Sequence, residues 1–147
     1  MSPLSELRVA ELLAAVGAQT PAPASGAATA LTGALAAALA ELAARFADDE
    51  AAVVQAQSLA ARLLELADED AVAYSAFLAE RNDETRRRIV EVPEEIAASA
   101  DAAADLGERM KAQLRSAVVG DAEAAIALGR AAANVARRLA ELNRPPS

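Results

Sequence analysis

TPAPASGAATALTGALAAALA, residues 20–40, carries no charged side chain; it opens with a Pro-x-Pro turn and continues as a Gly/Ala/Leu run. A helix without a polar face belongs in an interior. Thr20–Ala40 is therefore expected to supply a helix buried on all sides, and the turn before it to present backbone N–H groups at the mouth of a core, where an anionic or carbonyl-bearing ligand can sit. A membrane span needs about 20 apolar helical residues. Pro21 and Pro23 shorten the run, and Ala is weakly lipophilic, so a core helix is expected rather than a span.

The remainder of the chain agrees with a helical reading. Its 147 residues suit a single domain over 1–147, and 54% are hydrophobic while only 2% are aromatic. The core must then be made of Ala, Leu, Val and Ile, with Ala the strongest helix former. Such small side chains let helices approach closely but fill little volume each. A second copy of the chain is expected to complete the core.

The net charge of −8, with three aromatic residues (Phe46, Tyr74, Phe77), argues against nucleic-acid binding. The absence of Cys and His excludes thiol chemistry, Ser–His triads and His-ligated metal centres. MSPLSELRVAEL (1–12) lacks the pattern of a secretory signal, so a cytoplasmic location is expected.

Helix signals divide the chain into five or six helices. Ser2 and Pro3 can open the first, with Val9, Leu12, Leu13 and Val16 as its stripe and Gly17 as its end. In the second, from about Gly26 to Phe46, Leu31, Leu35, Leu39, Leu42 and Phe46 share one face, and Gly33, Ala37 and Ala40 groove the other. Asp48 or Asp49 can cap a long third helix reaching about Glu80, whose stripe runs Ala52, Ala56, Leu59, Leu63, Leu66, Asp70, Ala73, Phe77. Asn82 or Asp83 caps a short basic helix, and Pro93 restarts the chain in a first turn. Ile96, Ala100, Ala103, Gly107, Met110 and Leu114 follow. Gly120 stops that segment and Asp121 caps the last helix, with stripe Ala125, Leu128, Ala132, Val135, Leu139 and Leu142. The expected fold is all-α, a bundle around the Gly/Ala-rich second helix.

Asp70 interrupts an apolar row. A carboxylate there either meets an Arg or a backbone N–H, or has its pKa raised by burial, as acid and base catalysts do. Tyr74, four residues on, shares its side of the helix. Asp121 reads first as a helix cap. Asp68-Glu69-Asp70 fans around a helix and lacks the pattern of a calcium loop, so no metal site is expected. Arg86–Arg88 and Arg137-Arg138 read as solvated faces or carboxylate partners.

In order along the chain, these pieces resemble the cyclodeaminase/cyclohydrolase family, which includes the cyclodeaminase domain of formiminotransferase-cyclodeaminase and bacterial methenyltetrahydrofolate cyclohydrolases. Thr20–Ala27 falls on the family's T-P-x-P-G-G-G-S turn, and Ala30–Leu42 is similar to the helix after it. Asp68–Tyr74 matches D-x-D-A-x-A-[YF], Val92–Ala97 matches V-P-x-E-I-A, and Gly120–Ala125 is similar to S-D-A-G-V-A-A. The likeness spans nearly the whole chain.

It implies an all-α homodimer acting on one-carbon tetrahydrofolates without added cofactor. The reaction would be hydrolysis of the 5,10-methenyl bridge or deaminating ring closure of a formimino group. Asp70 and Asp121 would be the catalytic carboxylates. Thr20, Pro21, Pro23, Ser25, Gly26, Tyr74 and Asn143 would bind the substrate. The chain also departs from the pattern. Ala24, Ser25 and Ala27 replace two glycines and a serine, and the Cβ atoms added at 24 and 25 would crowd a ligand. The loop after the aromatic is shortened to AERNDETRRR (79–88) and holds no lysine, since Lys111 is the sole lysine; Gly120, Glu123 and Leu139 replace the usual Ser, Gly and Asn. The alternative implied by these departures is a non-catalytic homodimeric scaffold or small-ligand binder.

Overall fold

A computed structural model describes residues 2–146. Its five α-helices are α1 (Val9–Gly17), α2 (Ser25–Phe46), α3 (Glu50–Ala79), α4 (Asp83–Gln113) and α5 (Gly120–Asn143), with short 3₁₀ turns at Leu4–Glu6 and Ser116–Val118. No strand occurs among the described residues, so the fold is all-α as expected. α2 packs against α3, α4 and α5, and α3 and α5 each also pack against α4. The largest fully buried side chains include Leu63, Leu66, Ile96, Leu106 and Met110. Each contributes about 1.5–3 kcal/mol by leaving water.

α2 is central but is not buried on all sides. Its small-residue face turns inward, with Ala27, Ala30, Ala36, Ala37, Ala40, Ala43 and Ala44 fully covered. The leucine face turns outward: Leu35 is 63% and Phe46 55% exposed. Helices pack closest where side chains are small, and a Cβ on Gly33 would press on the Leu63 methyls at 3.2–3.3 Å. α5 repeats the inversion, burying Ala122, Ala125, Gly129, Ala132, Ala133, Ala136 and Ala140 while Leu128 and Val135 stay exposed. α2 is the one helix among the described residues long and apolar enough for a span, and 56% of that window lies inside the bundle.

The starts and stops differ from expectation in three places. The N-terminal segment is a 3₁₀ turn followed by α1, divided at Leu7–Arg8, and Ser2 caps neither; none of α1's residues is buried and its Val9 and Leu13 face outward. The Leu4 N–H donates to Asp68, which ties the turn to α3. The basic segment and the segment after Pro93 form one continuous helix, α4, with Pro93 in its interior. Finally, α4 ends at Gln113, and a 3₁₀ turn leads through Val119 into α5. Gly120 therefore begins α5 instead of ending α4, and Asp121 lies in the first turn without capping it.

Other signals hold. Asp49 accepts from the Ala52 N–H to cap α3, and Asn82 accepts from the Thr85 N–H to cap α4. Arg62 bridges Glu65 and Glu69 on α3 to Glu95 on α4, holding the Glu69 carboxyl below its usual range. Arg130 and Arg137 from α5 converge on Asp101 of α4.

Candidate functional site

A cleft of about 490 Å³ opens at the end of the bundle where α2 begins and α5 ends. The segment before α2 contributes Thr20, Pro21 and Ala24, and α2 contributes Ser25 and Gly26. α3 supplies Asp70, Tyr74 and Leu78, spaced by four residues so that all three share one face. Pro93 of α4 and Leu139, Leu142 and Asn143 of α5 close the far wall.

Asp70 is the one charged residue in this lining. Among the described residues it has no ion pair, and burial pushes its carboxyl up to about 6. Its position is set by α2: a Cβ at Gly26 would fall inside the Asp70 carboxyl group. Gly26 is thus the position of the turn where only glycine leaves room. The carboxyl lies against the first turn of α2, where backbone N–H groups have no intrahelical acceptor and the helix dipole favours negative charge. A group that is neutral at mildly acid pH and ionised above it, beside an apolar wall, can accept and return a proton.

The departures within the turn have different consequences. Ala27 is fully covered and belongs to the core formed with Leu63, Leu66 and Ile96, so its methyl is directed away from the cleft. Ala24 and Ser25 remain in the lining and narrow it.

Of the residues expected at a site, Thr20, Pro21, Ser25, Gly26, Asp70, Tyr74 and Asn143 come together here. Pro23 is half-buried in the same turn, after a cis Ala22–Pro23 bond, and does not line the cleft. Asp121 is elsewhere. It precedes Leu139 by 18 positions on α5, which is about 27 Å along a helix. It neighbours Ala122 and Ala125, which pack with Leu106 and Met110 at the opposite end of the bundle. One chain therefore does not bring Asp70 and Asp121 together.

The acidic triple separates as its helical spacing implies: Asp68 holds the Leu4 N–H, Glu69 pairs with Arg62 and Arg88, and Asp70 enters the cleft. Arg86 stands over the Phe77 ring, 4.8 Å from its centroid, with Arg81 at 5.3 Å from the same ring. Local sequence does not mark Leu78, Pro93 and Leu142 as residues of a site, and Leu139 stands out only as a departure from the family pattern. Leu78 continues the four-residue spacing of Asp70 and Tyr74 and could have been found from it.

A family model described as formiminotransferase-cyclodeaminase matches residues 8–145. No curated protein matches the sequence.

Proposed function

The chain belongs to the formiminotransferase-cyclodeaminase family, and from that premise we propose that it is a cytoplasmic enzyme of one-carbon tetrahydrofolate chemistry. It hydrolyses the 5,10-methenyl bridge or closes a formimino group with loss of ammonia. The observation that carries the reading is the Asp70 carboxyl, set against Gly26 at the start of α2 as the single charge in a cleft. A negative group there favours the cationic methenyl carbon.

In hydrolysis, ionised Asp70 takes a proton from water as the water oxygen bonds to the methenyl carbon. It returns that proton to the ring nitrogen as the carbon–nitrogen bond breaks, and the hydroxyl proton of the adduct leaves to solvent. In the deaminating reaction the same carboxyl carries the proton of the attacking nitrogen to the departing one. Tyr74 and the polar edge made by Thr20, Ser25 and Asn143 hold the substrate, with Pro21, Gly26 and Pro23 shaping the turn around it.

Loss of the near-ultraviolet absorbance of methenyltetrahydrofolate tests the reading. Protein that gives no acceleration over buffer sinks the hydrolase form, and release of ammonia from the formimino compound tests the other. Where Asp70 is the base, the rate rises with pH through about 6. A flat profile from pH 5 to 8 removes it from that role.

A non-catalytic scaffold or small-ligand binder is the second reading, favoured by Ala24 and Ser25 in the lining. Both readings include a homodimer. Leu35, Leu42 and Phe46 of α2 and Leu128 and Val135 of α5 are exposed, and Thr32, Ala131 and Val135 line one groove between these two helices. On a chain of charge −8, an apolar face is where two copies meet with least repulsion. Light scattering at micromolar concentration should give twice the chain mass, and Leu35→Asp with Val135→Asp should give the monomer. A wild-type monomer contradicts the proposal.

A further inference from the structure

Pro93 lies in the interior of α4 and lines the cleft. In an uninterrupted helix the N–H of residue 93 would donate to the carbonyl of Ile89. Proline has no such hydrogen, and a buried carbonyl left unpaired is unfavourable. The Ile89 carbonyl instead accepts a hydrogen bond from Nδ2 of Asn143, at 2.7 Å. Asn143 is the last residue of α5, and its own backbone carbonyl accepts from Nη1 of Arg86 at 3.1 Å. Two hydrogen bonds therefore join the end of α5 to α4 beside the cleft, one of them to a carbonyl whose helical donor is missing because residue 93 is proline.

We infer that Asn143 is a positioning residue for the cleft: its amide replaces the hydrogen that Pro93 lacks, and this bond holds the α5 wall, Leu139 and Leu142, at its distance from Asp70 and Tyr74. An aspartate at 143 has no donor when ionised, and a leucine has none at all. The role concerns the shape of the cleft whatever molecule the cleft takes, so it goes beyond the proposed reaction and can fail separately from it.

Tyr74 reports on it directly. It is the sole tyrosine in a chain without tryptophan, and it lines the cleft. Its fluorescence quenching by acrylamide measures access to the cleft in the folded protein with no ligand present. Four full-length proteins suffice: wild type, Asn143→Ala, Pro93→Ala and the double variant, each checked as folded by circular dichroism. Asn143→Ala should raise the quenching constant about twofold or more with Pro93 present. In the Pro93→Ala background the rise should be much smaller, because the restored backbone N–H at that position can serve Ile89; unequal effects in the two backgrounds are the signature of coupled neighbours. A bond that only stabilised the fold would lower the melting temperature without this change in the native state. Wild-type protein without folate turnover that still gives this quenching pattern counts against the proposed reaction and supports the positioning role. Equal quenching changes in both backgrounds, or none in either, overturn the inference. If Asn143→Ala alone does not fold, the Pro93→Ala change must restore folding, and failure of the double variant to fold overturns it as well.

Discussion

The two ends of the bundle use the same small residues for opposite purposes. At the closed end, Ala40, Ala43, Ala44, Ala52, Ala56, Ala122 and Ala125 gather around Leu106 and Met110. There, small size lets backbones meet, and nothing polar enters. At the open end, Gly26 makes room for the carboxyl of Asp70 and Pro93 leaves a carbonyl for Asn143. Glycine shows the contrast most directly. A Cβ at Gly129 would meet the Ala100 carbonyl oxygen at 2.9 Å and the Ala104 methyl at 3.0 Å, so this glycine serves the α4–α5 crossing. A Cβ at Gly26 would meet the Asp70 carboxyl, so that glycine makes room for a charged side chain in the cleft. One residue type thus closes a core in one place and opens a cleft in another, and the neighbour decides which.

The contrast breaks most severely at Gly129. Gly129→Val forces α5 away from α4 along a crossing whose nearest atoms are the backbone of Ala100 and Ala104 and the Ala104 methyl, and should destabilise the fold by about 3 kcal/mol, the upper part of the overpacking range. Denaturant unfolding reads this directly. A midpoint near that of wild type would mean that the α4–α5 crossing has slack and is less tightly packed than its distances imply. Gly26→Ala should behave differently. Its added methyl displaces a side chain instead of a helix, so unfolding should show a loss of about 1 kcal/mol, while turnover falls about a hundredfold or more because Asp70 leaves its place. Combining it with Asp70→Gly, which removes the colliding group, should return the lost stability but not the rate. If the stability loss persists in the pair, Gly26 is a packing glycine like Gly129 and the two glycines do not differ in the way proposed.

Much of the fold was legible in the sequence because it follows from periodicity. A bundle of five or six helices, the central place of a helix from about residue 26 to 46 and the entry of Asp70 into a core-facing row all follow from steps of three and four, whereas the helix break expected at Pro93 does not occur. The inward face of α2 was not legible. Its leucines and its alanines form two competing stripes, and hydrophobicity alone favours the leucines, whereas close helix packing favours the alanines. The same ambiguity recurs in α5. At the site, Asp70, Tyr74 and the turn could be read from local spacing. The union of Asn143 with Ile89 could not, because Pro93 reads locally as a helix start, and its tolerance inside α4 depends on a residue 50 positions later. Asp121 was legible as a motif residue, but sequence order carries no information about which end of a helix faces the cleft.

Asp70→Asn sharpens the electrostatic side of the comparison. Burial raises this carboxyl to about 6, so the folded state binds its proton more tightly than the unfolded state does. Stability associated with the protonated form is present below about pH 4 and is lost as the pH rises through about 6. Replacing the carboxyl by an amide removes that penalty. Asp70→Asn should therefore match wild type near pH 4 and exceed it at pH 8 by about 1–2 kcal/mol, reduced from the roughly 3 kcal/mol that a rise from 3.8 to about 6 would give in full, because the cleft is open to water. Melting temperatures at the two pH values check it. A gain of equal size at both would show that ionisation is not the source. Loss of turnover in the same stabilised protein would mark Asp70 as a group kept for function at the expense of the fold.

Asp121 gives the smallest expected effect and the most discriminating one. It sits in the first turn of α5 at the closed end, with no side-chain cap bond, so its contribution to the fold is the attraction of a carboxylate for a helix N-terminus, about 0.3–1 kcal/mol. Asp121→Asn should lower the melting temperature slightly. If the cleft is complete within one chain, it should change turnover less than about threefold, since the side chain lies about 27 Å along α5 from the cleft wall. The exposed apolar faces of α2 and α5 allow a second outcome. Asp121 shares a helical face with Leu128, Val135 and Leu142, each seven residues apart, and two copies packed antiparallel over that face would set the closed end of one beside the open end of the other. A large loss of rate with unchanged stability would then require Asp121 to act from the second copy. Mixing Asp121→Asn with Asp70→Asn protein would restore part of the activity through sites that draw one intact carboxylate from each chain, whereas a cleft complete within one chain would gain nothing from the mixture.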